Sequence, residues 1–288
     1  MSSCIRQVRI APGQDRPEGV FSGNRGCDVN RIIFLGTGGA RYVVFQQIRA
    51  SGGMWMELGG TKLLVDPGPG SLVRMRARRE RLNPMDLDGI VLSHAHLDHS
   101  GDLNIVVEAM TGGGFRKKGL VLLPGEALAE PGILLDYLKG CVDGLVVLEE
   151  GGSYRVGQVL IETPFRHIHG VETYGMNFRS GDLTISYVSD SRYTDRLQEV
   201  YTGQVLIINV VRSKPSDLDH LCLEDVETIV EKVRPEVAVL THFGMSVLKA
   251  KPWVVAKKIS EKTGIRVIAA RDGLTLDLTQ FGGPGQPA

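Results

Sequence analysis

The chain has 288 residues, of which 42% are hydrophobic and 23% are charged, so it can bury one large core or two modest ones. Its 33 basic residues balance its 33 acidic residues, and no overall field draws it to nucleic acid or to an anionic membrane. The scattered cysteines and the absence of an apolar signal core at the N-terminus predict reduced thiols and a cytoplasmic protein that does not insert into a membrane.

Short apolar runs alternate with helical patterns, which predicts one α/β domain over residues 1–288. Residues 1–30 are expected to form a leader of uncertain order, and residues 281–288 a flexible tail. The predicted strands are Ile32–Leu35, Met54–Leu58, Lys62–Asp66, Ile90–Ser93, Leu120–Leu123, Leu145–Leu148, Val159–Thr163, Met176–Arg179, Leu183–Val188, Val205–Val211, Val237–Thr241, Arg266–Ala269 and Leu274–Leu278. The predicted helices are Leu72–Leu82, Asp102–Met110, Ile133–Lys139, Thr194–Tyr201, Leu223–Lys232 and Trp253–Thr263. Closely spaced strands predict hairpins, and therefore mixed rather than purely parallel sheets.

The stretch "SHAHLDHSGD" holds three of the seven histidines of the chain. It follows a strand pattern and precedes a helical one, so it lies where open α/β sheets bind ligands. Alternation along an extended segment places His94 and His96 on one side, whereas Asp98 and His99 come from the turn beyond. This arrangement suits two adjacent metal ions. Imidazole and carboxylate ligands favour zinc, with manganese or iron as alternatives.

The segment "HAHLDH" matches the HxHxDH signature of the metallo-β-lactamase superfamily, and the resemblance extends from Ile32 to about Leu278. Further landmarks of that family recur in order, namely "LLVDPG" with Asp66, "HGVETYG" with His169, "SYVSDS" with Asp190 and "VLTHFG" with His242. The resemblance implies an αββα sandwich, in which two mixed sheets flanked by helices hold a metal site between them.

The same resemblance implies a role for each matched residue. His94, His96 and His169 would hold a first divalent ion, Asp98, His99 and His242 a second, and Asp190 would bridge the two. Asp98 is also expected to take part in catalysis, and Asp66 to support the metal loop without binding metal. His167 competes with His169 for the ligand role, because both have the same strand parity. The spacing to the next glycine and apolar strand favours His169, which leaves His167 as a supporting or core residue.

His220 lies in "DHLCLEDVETIV", just before a helical pattern. It resembles the histidine that precedes a helix in the tRNA 3′-processing and related phosphodiesterase branches of the superfamily. That likeness implies a proton donor for the leaving group. Helix capping or surface solvation is the alternative role.

Three other motifs have a structural and a functional interpretation. "FLGTGG" lacks the lysine and hydroxyl of a phosphate-binding loop, so a tight turn after the first strand is expected. The arginines of "RMRARRER", Arg74–Arg81, would spread around a helix as a solvated face. "RKK", Arg116–Lys118, follows the helix after the metal loop and is the better candidate for binding an anionic substrate.

The resemblance also excludes some activities. His96 stands where flavo-diiron proteins carry glutamate, and Asp190 stands where antibiotic-hydrolysing members commonly carry cysteine, so neither activity is expected. The segment between Asp102 and Glu162 has no long arm for tRNA, which argues against tRNA maturation.

The predicted function is a hydrolase in which a metal pair activates water for attack on a phosphodiester or another anionic ester. A small anionic ester or nucleotide is the expected substrate, and nucleic acid is less favoured. The alternatives are a lactone or thioester hydrolase, and a binding or scaffold protein that retains metal without turnover. The oligomeric state stays open.

Overall fold

The computed structural model describes residues 29–281. The predicted leader and tail lie almost wholly outside these residues. The strands are β1 (Arg31–Phe34), β2 (Met54–Leu58), β3 (Thr61–Val65), β4 (Gly89–Val91), β5 (Leu120–Pro124), β6 (Gly144–Leu148), β7 (Gly152–Val156), β8 (Val159–Thr163), β9 (Met176–Ser180), β10 (Leu183–Val188), β11 (Val205–Asn209), β12 (Val237–Thr241), β13 (Arg266–Ala269) and β14 (Thr275–Asp277). The α-helices are α1 (Arg41–Phe45), α2 (Ser71–Ala77), α3 (Leu97–Ser100), α4 (Leu103–Met110), α5 (Asp136–Lys139), α6 (Arg196–Val200), α7 (Leu223–Val233), α8 (Met245–Lys249) and α9 (Pro252–Thr263).

The strands form two seven-stranded sheets. Sheet 1 has the order β14-β1-β2-β3-β4-β5-β6, and sheet 2 has the order β13-β12-β11-β10-β9-β8-β7. Each sheet joins an antiparallel part to a parallel part, which comprises β3 to β6 in sheet 1 and β10 to β13 in sheet 2. The predicted mixed sheets are therefore confirmed.

Alternation along the strands divides the apolar residues between three layers of core. Ile32 and Phe34 of β1 face the space between the sheets, where they join Met176 and Phe178 of β9. Ile33, between them in sequence, faces the helices outside sheet 1. This period of two is the geometry of a strand that is covered on both faces.

Helices cover the outer face of each sheet. On α4, Leu103, Val106, Val107 and Met110 are buried against sheet 1, at the spacing of one helical face. Val226, Ile229 and Val230 of α7 pack in the same way against sheet 2. The αββα sandwich predicted from the sequence is thus confirmed.

The parallel parts of both sheets bring chemically active residues to their carboxyl ends. Asp66 follows β3 and His94 follows β4 closely, while Asp190 and His242 follow β10 and β12 in sheet 2. Open α/β sheets bind ligands at this kind of edge.

Several elements differ from the sequence predictions, since the short helices α1, α3 and α8 were not predicted and some bounds are shifted by a few residues. Helix α2 ends at Ala77 rather than at Leu82, because Arg78 is extended and its guanidinium binds the carbonyl of Gly273 and the hydroxyl of Thr275. Strand β7 is absent from the predicted strands, since its sequence "GSYRV" is largely polar, and it forms an edge hairpin with β8. None of the helices in residues 29–281 is long and apolar enough to cross a bilayer.

Candidate metal centre

The loop after β4 makes a sharp change of direction between its histidines. His96 precedes α3, and the amides of His99 and Ser100 donate to the His96 carbonyl at 3.0 Å. Asp98 and His99 lie on this turn, and the rings of His94 and His99 remain close, with their centroids 4.0 Å apart. The segment expected to be a loop therefore contains one turn of helix.

His94, His96 and His169 form the first group. Their nitrogens lie within 4.8 Å of one another, and His96 Nδ1 is 3.1 Å from His169 Nε2. In a tetrahedral zinc site with Zn–N distances of about 2.0–2.1 Å, neighbouring nitrogens lie about 3.3 Å apart. The spacing of this pair therefore fits a shared ion.

Hydrogen bonds fix the tautomers of two of these rings. The Ser93 hydroxyl donates to Asp66 Oδ2 at 2.8 Å, so His94 Nδ1, 2.9 Å from the same hydroxyl, must act as a donor. His169 Nδ1 lies 3.0 Å from the carbonyl of Asp219, to which it donates. Each ring consequently keeps a lone pair on Nε2, the atom that faces the site.

Asp98, His99 and His242 form the second group, also within 4.8 Å of one another. Asp98 Oδ2 lies 3.2 Å from His242 Nε2, and His99 Nδ1 donates to Asp66 Oδ2 at 2.9 Å. His242 has a φ of 57°, a left-handed conformation that is uncommon outside glycine. Such strain persists where surrounding structure fixes it, and it clusters at functional sites.

Asp190 lies between the two groups. Its Oδ2 is 4.0 Å from His94 Nε2, 3.5 Å from His99 Nε2 and 3.5 Å from His220 Nδ1. Its Oδ1 is 3.4 Å from His242 Nδ1. The Asp190 carboxylate therefore lies within 4.0 Å of side chains from both groups, which is the position that a bridging ligand requires.

Four buried imidazole nitrogens have no hydrogen-bond partner within residues 29–281. They are His94 Nε2, His99 Nε2, His220 Nδ1 and His242 Nδ1. Burying a polar atom without a partner is costly, and most buried polar atoms in proteins are satisfied. Because all four surround one carboxylate, the donor set fits divalent metal ions.

The charges of the cluster suit metal ligands. Burial lowers the pKa of His94 well below its usual range, helped by the neighbouring His99, so His94 is neutral. Burial opposes ionisation of Asp98 and Asp190, but nearby histidines outweigh it and hold both carboxyl pKa values below their usual range. At His99 burial again opposes the charge, yet Asp66 and Asp98 raise its pKa well above the usual value. An ion that binds His99 must therefore displace a proton.

Asp66 makes hydrogen bonds to the loop that follows β4. Its Oδ1 accepts from the Ser93 amide at 2.6 Å, and its Oδ2 accepts from Ser93, His99 and Tyr187. Asp66 is buried and has a φ of 51°. Both carboxylate oxygens of Asp66 already accept hydrogen bonds from the protein, and one of these bonds orients the ring of His99.

His167 and His169 differ in their surroundings. His167 is buried, with Nδ1 3.2 Å from the Asp190 carbonyl and Nε2 2.8 Å from the Tyr201 hydroxyl. Burial lowers the pKa of His167 to about 4, so the ring is neutral. Both of its nitrogens are engaged, whereas His169 Nε2 faces His96. The geometry thus favours His169 as the ligand.

His220 lies inside the cluster. Its ring centroid is 5.1 Å from that of His169, and its Nδ1 can share an ion with His169 and Asp190. Burial lowers the pKa of His220. Cys222, and not His220, caps α7. The capping role considered for His220 is therefore wrong.

The glycine-rich loop after β1 packs against the end of β12. A Cβ on Gly39 would lie 2.1 Å from His242 Nδ1, and the Phe243 amide donates to the Thr37 carbonyl at 2.8 Å. The turn predicted for "FLGTGG" thus has a specific purpose, because its glycines allow the backbone to approach the ring of His242.

The two basic motifs differ in their surroundings. Arg116–Lys118 precede β5, whose first residue, Leu120, pairs with Gly89 at the start of β4. They therefore lie at the amino ends of the parallel strands of sheet 1, whereas His94 lies at the carboxyl ends. The interpretation of "RKK" as the anion site is wrong. In "RMRARRER", Arg78 and Glu80 join an ion-pair network with Arg31 at the surface.

Sequence reasoning missed several residues that surround the cluster. Tyr187 donates to Asp66 Oδ2 at 2.8 Å, and Asn209 Nδ2 donates to Asp190 Oδ1 at 2.9 Å. Arg192 was also missed, and its guanidinium binds the carboxylate of Asp219 at 2.8 Å. The signal available for Asn209 was its position as a polar residue at the end of a buried strand.

Residues 61–243 match the family model described as the beta-lactamase superfamily domain. The chain therefore belongs to the β-lactamase superfamily. Its fold, together with its cluster of histidines and aspartates, is that of a metallo-hydrolase.

Two curated relatives cover most of the chain. An uncharacterized protein of Methanocaldococcus jannaschii is 32% identical over 86% of this chain and 94% of its own length. A protein of Aeropyrum pernix named as a UPF0173 metal-dependent hydrolase is 26% identical over 78% of this chain and 94% of its own length. The likeness to each relative thus extends over nearly the whole of that relative.

Two solved structures show the same fold. The metallo-β-lactamase fold protein YhfI of Bacillus subtilis is 21% identical, with a TM-score of 0.73 over 87% of this chain and 100% of its own. A diphosphatase from the PhnP family is 20% identical, with a TM-score of 0.62 over 86% of this chain and 97% of its own. At these identities the likeness concerns the fold alone.

Proposed function

We propose that the chain is a two-metal hydrolase that cleaves a small phosphodiester or a related anionic ester. The observation that carries this proposal is the ring of buried imidazole nitrogens around Asp190 that make no hydrogen bond within residues 29–281. Such a ring is costly unless metal ions complete it. The Aeropyrum pernix relative, named as a metal-dependent hydrolase, supports the same class of reaction.

The residues divide between two ions and a bridge. His94, His96 and His169 would hold one ion, Asp98, His99 and His242 the other, and Asp190 would contact both. Zinc suits this mixture of imidazole and carboxylate, with Mn²⁺ or Fe²⁺ as alternatives. When bound, such ions act as Lewis acids and lower the pKa of water from about 15.7 toward about 7.

The protein supplies the remaining chemistry through its own side chains. His220 lies beside His169 and Asp190, where it can give a proton to the leaving oxygen. Asp98 combines its ligand role with a side chain that is 18% exposed, so it can also contact the reacting group.

The position of Arg192 favours a substrate that carries negative charge. Its backbone amide donates to the carbonyl of Ile168, next to His169, and its guanidinium is fixed by Asp219 while remaining 56% exposed. The cation is therefore held close to the loop that carries His169, and it can attract a phosphate or carboxylate. The fold shared with a diphosphatase also favours a phosphate ester.

A turnover screen of the zinc-loaded and manganese-loaded protein tests the proposal. Bis-p-nitrophenyl phosphate should be hydrolysed faster than lactones or thioesters, and Asp190→Asn should abolish that activity. Asp86→Asn is the matched control, because Asp86 is exposed and its carboxylate pairs with Lys62. Turnover of lactones or thioesters alone would assign a different substrate class. A protein that binds two ions and hydrolyses none of the three would be a metal-retaining scaffold.

A further inference from the structure

Tyr187 and Asn209 form a buried polar link beneath the metal cluster. Tyr187 lies in β10 and is 2% exposed, and Asn209 ends β11 and is 3% exposed. Asn209 Nδ2 donates to the Tyr187 hydroxyl at 3.2 Å and to Asp190 Oδ1 at 2.9 Å. Tyr187 in turn donates to Asp66 Oδ2 at 2.8 Å. Two neutral side chains therefore connect the carboxylate of Asp66, which follows a strand of sheet 1, to the carboxylate of Asp190, which follows a strand of sheet 2.

The direction of these bonds is fixed by the available protons. The single hydroxyl proton of Tyr187 goes to Asp66, so the Tyr187 oxygen accepts from Asn209. The amide of Asn209 has two protons, and these serve Tyr187 and Asp190. Asp66 and Asp190 are thus both held as acceptors. Asp190 keeps Oδ2 directed at His94 and His99, one histidine from each group.

The space beside the link is too small for a substrate. A cavity of about 30 Å³ is lined by Tyr187 and Asn209 together with Asp98, His99 and His242. That volume accommodates only a few water molecules, which the polar lining could bind. Because Tyr187 and Asn209 are buried and bind Asp66 and Asp190, they can act through those carboxylates and not on the substrate itself.

We propose that Tyr187 and Asn209 are positioning residues that fix Asp190 directly, and His99 through Asp66, in the orientations required for binding a metal pair. The inference rests on the proposed function, because it assumes that these residues bind metal. Groups that orient ligands in this way typically change metal affinity or activity by roughly 10–100-fold when removed.

Zinc titration against a competing chelator tests this link without relying on turnover. Tyr187→Phe removes one hydroxyl and keeps the buried ring, so it should weaken binding of the ion at His99 by roughly 10–100-fold. Asn209→Ser should weaken both ions, because it frees Asp190. Saturating zinc should restore the wild-type stoichiometry in each variant, since every ligand remains.

Ser186→Ala is the matched control, because Ser186 neighbours Tyr187 on the same strand and is fully buried. Its hydroxyl binds Asn177 and the amide of Gly203, away from both carboxylates. This variant should lose thermal stability while keeping wild-type zinc affinity. If Ser186→Ala weakens zinc binding as much as Tyr187→Phe and Asn209→Ser do, or if none of the three weakens it, the positioning role is overturned. A wild-type chain that binds no zinc would instead overturn the proposed function, and this inference with it.

Discussion

At the scale of single residues, the surroundings of His220 favour a chemical role over a structural one. Its Nδ1 is buried and has no hydrogen-bond partner among the described residues, while Asp190 Oδ2 lies 3.5 Å away. A residue that served to cap α7 would instead engage the helix amides, and Cys222 does that.

The substitution His220→Ala separates acid catalysis from metal binding. If His220 protonates the leaving oxygen, kcat for an alkyl phosphodiester should fall by roughly 10²–10⁴ with metal content unchanged. A p-nitrophenyl ester should lose less, because p-nitrophenolate departs without a proton. Steady-state kinetics on both substrates provides the comparison. Equal losses would indicate positioning, and a loss of metal would make His220 a ligand.

Arg192 offers a second residue-scale test, of substrate charge. Arg192→Gln removes the cation near His169, so KM for an anionic phosphodiester should rise by about 10-fold or more, the loss expected for a charge-assisted hydrogen bond. A neutral lactone should be unaffected. Arg179→Gln is the control, since Arg179 is an exposed arginine that pairs with Glu162 on sheet 2. Equal effects of the two substitutions would remove Arg192 from substrate binding.

At the scale of elements, the loop between β1 and α1 limits where His242 can lie. Gly39→Ala would place a methyl group 2.1 Å from His242 Nδ1, a distance that requires the ring or the loop to move. We expect this variant to lose affinity for the ion at His242 and to retain the other ion. Metal analysis after dialysis measures the remaining stoichiometry. Gly140→Ala is a suitable control, because Gly140 has a φ of −80° that alanine also adopts and nothing lies within 4 Å of its added Cβ.

The elements also show why some of the molecule was predictable from sequence. Strands such as β11, "VLIIN", and β12, "VAVLT", are continuous apolar runs, which identify strands buried on both faces. The edge strand β7 lacks that signal, and the four residues of α3 are too few to show a helical period.

The candidate ligands could be assigned because the motifs that carry them are local. Tyr187 and Asn209 could not be placed in the same way. Tyr187 meets Asp66 across 121 positions of sequence, and that contact depends on how the two sheets face each other. Sequence spacing specifies the residues that come directly after a strand, but it does not specify which residue of the opposite sheet lies beneath them.

At the scale of the whole molecule, metal binding should stabilise the fold, because the candidate ligands come from both sheets. A ligand at about 1,000 times its Kd contributes about 4 kcal/mol of unfolding free energy. Each kcal/mol raises Tm by about 2–4 °C in a chain of this size. Chelation should therefore lower Tm by about 8–16 °C, as measured by calorimetry. An unchanged Tm would mean that the cluster holds no ion in the folded protein.

That stabilisation should depend on pH. The raised pKa of His99 means that the metal-free fold gains stability from the protonated ring, and that this contribution is lost as pH rises through the folded pKa. The metal-bound fold needs the ring deprotonated, so protons compete with the ion as pH falls. The loss of Tm on chelation should accordingly be larger at pH 8 than at pH 6. The opposite trend would contradict a ligand role for His99.

The order of the candidate ligands along the chain has a consequence for synthesis. His94 to His99 leave the ribosome first, His169 and Asp190 follow, and His242 comes last, on the final parallel pair of sheet 2. A nascent chain that stops short of β12 can therefore present the first group of histidines without the residues that complete the second. If the chain binds the proposed metal pair, its loading must wait until most of the polypeptide has emerged and the two sheets have met.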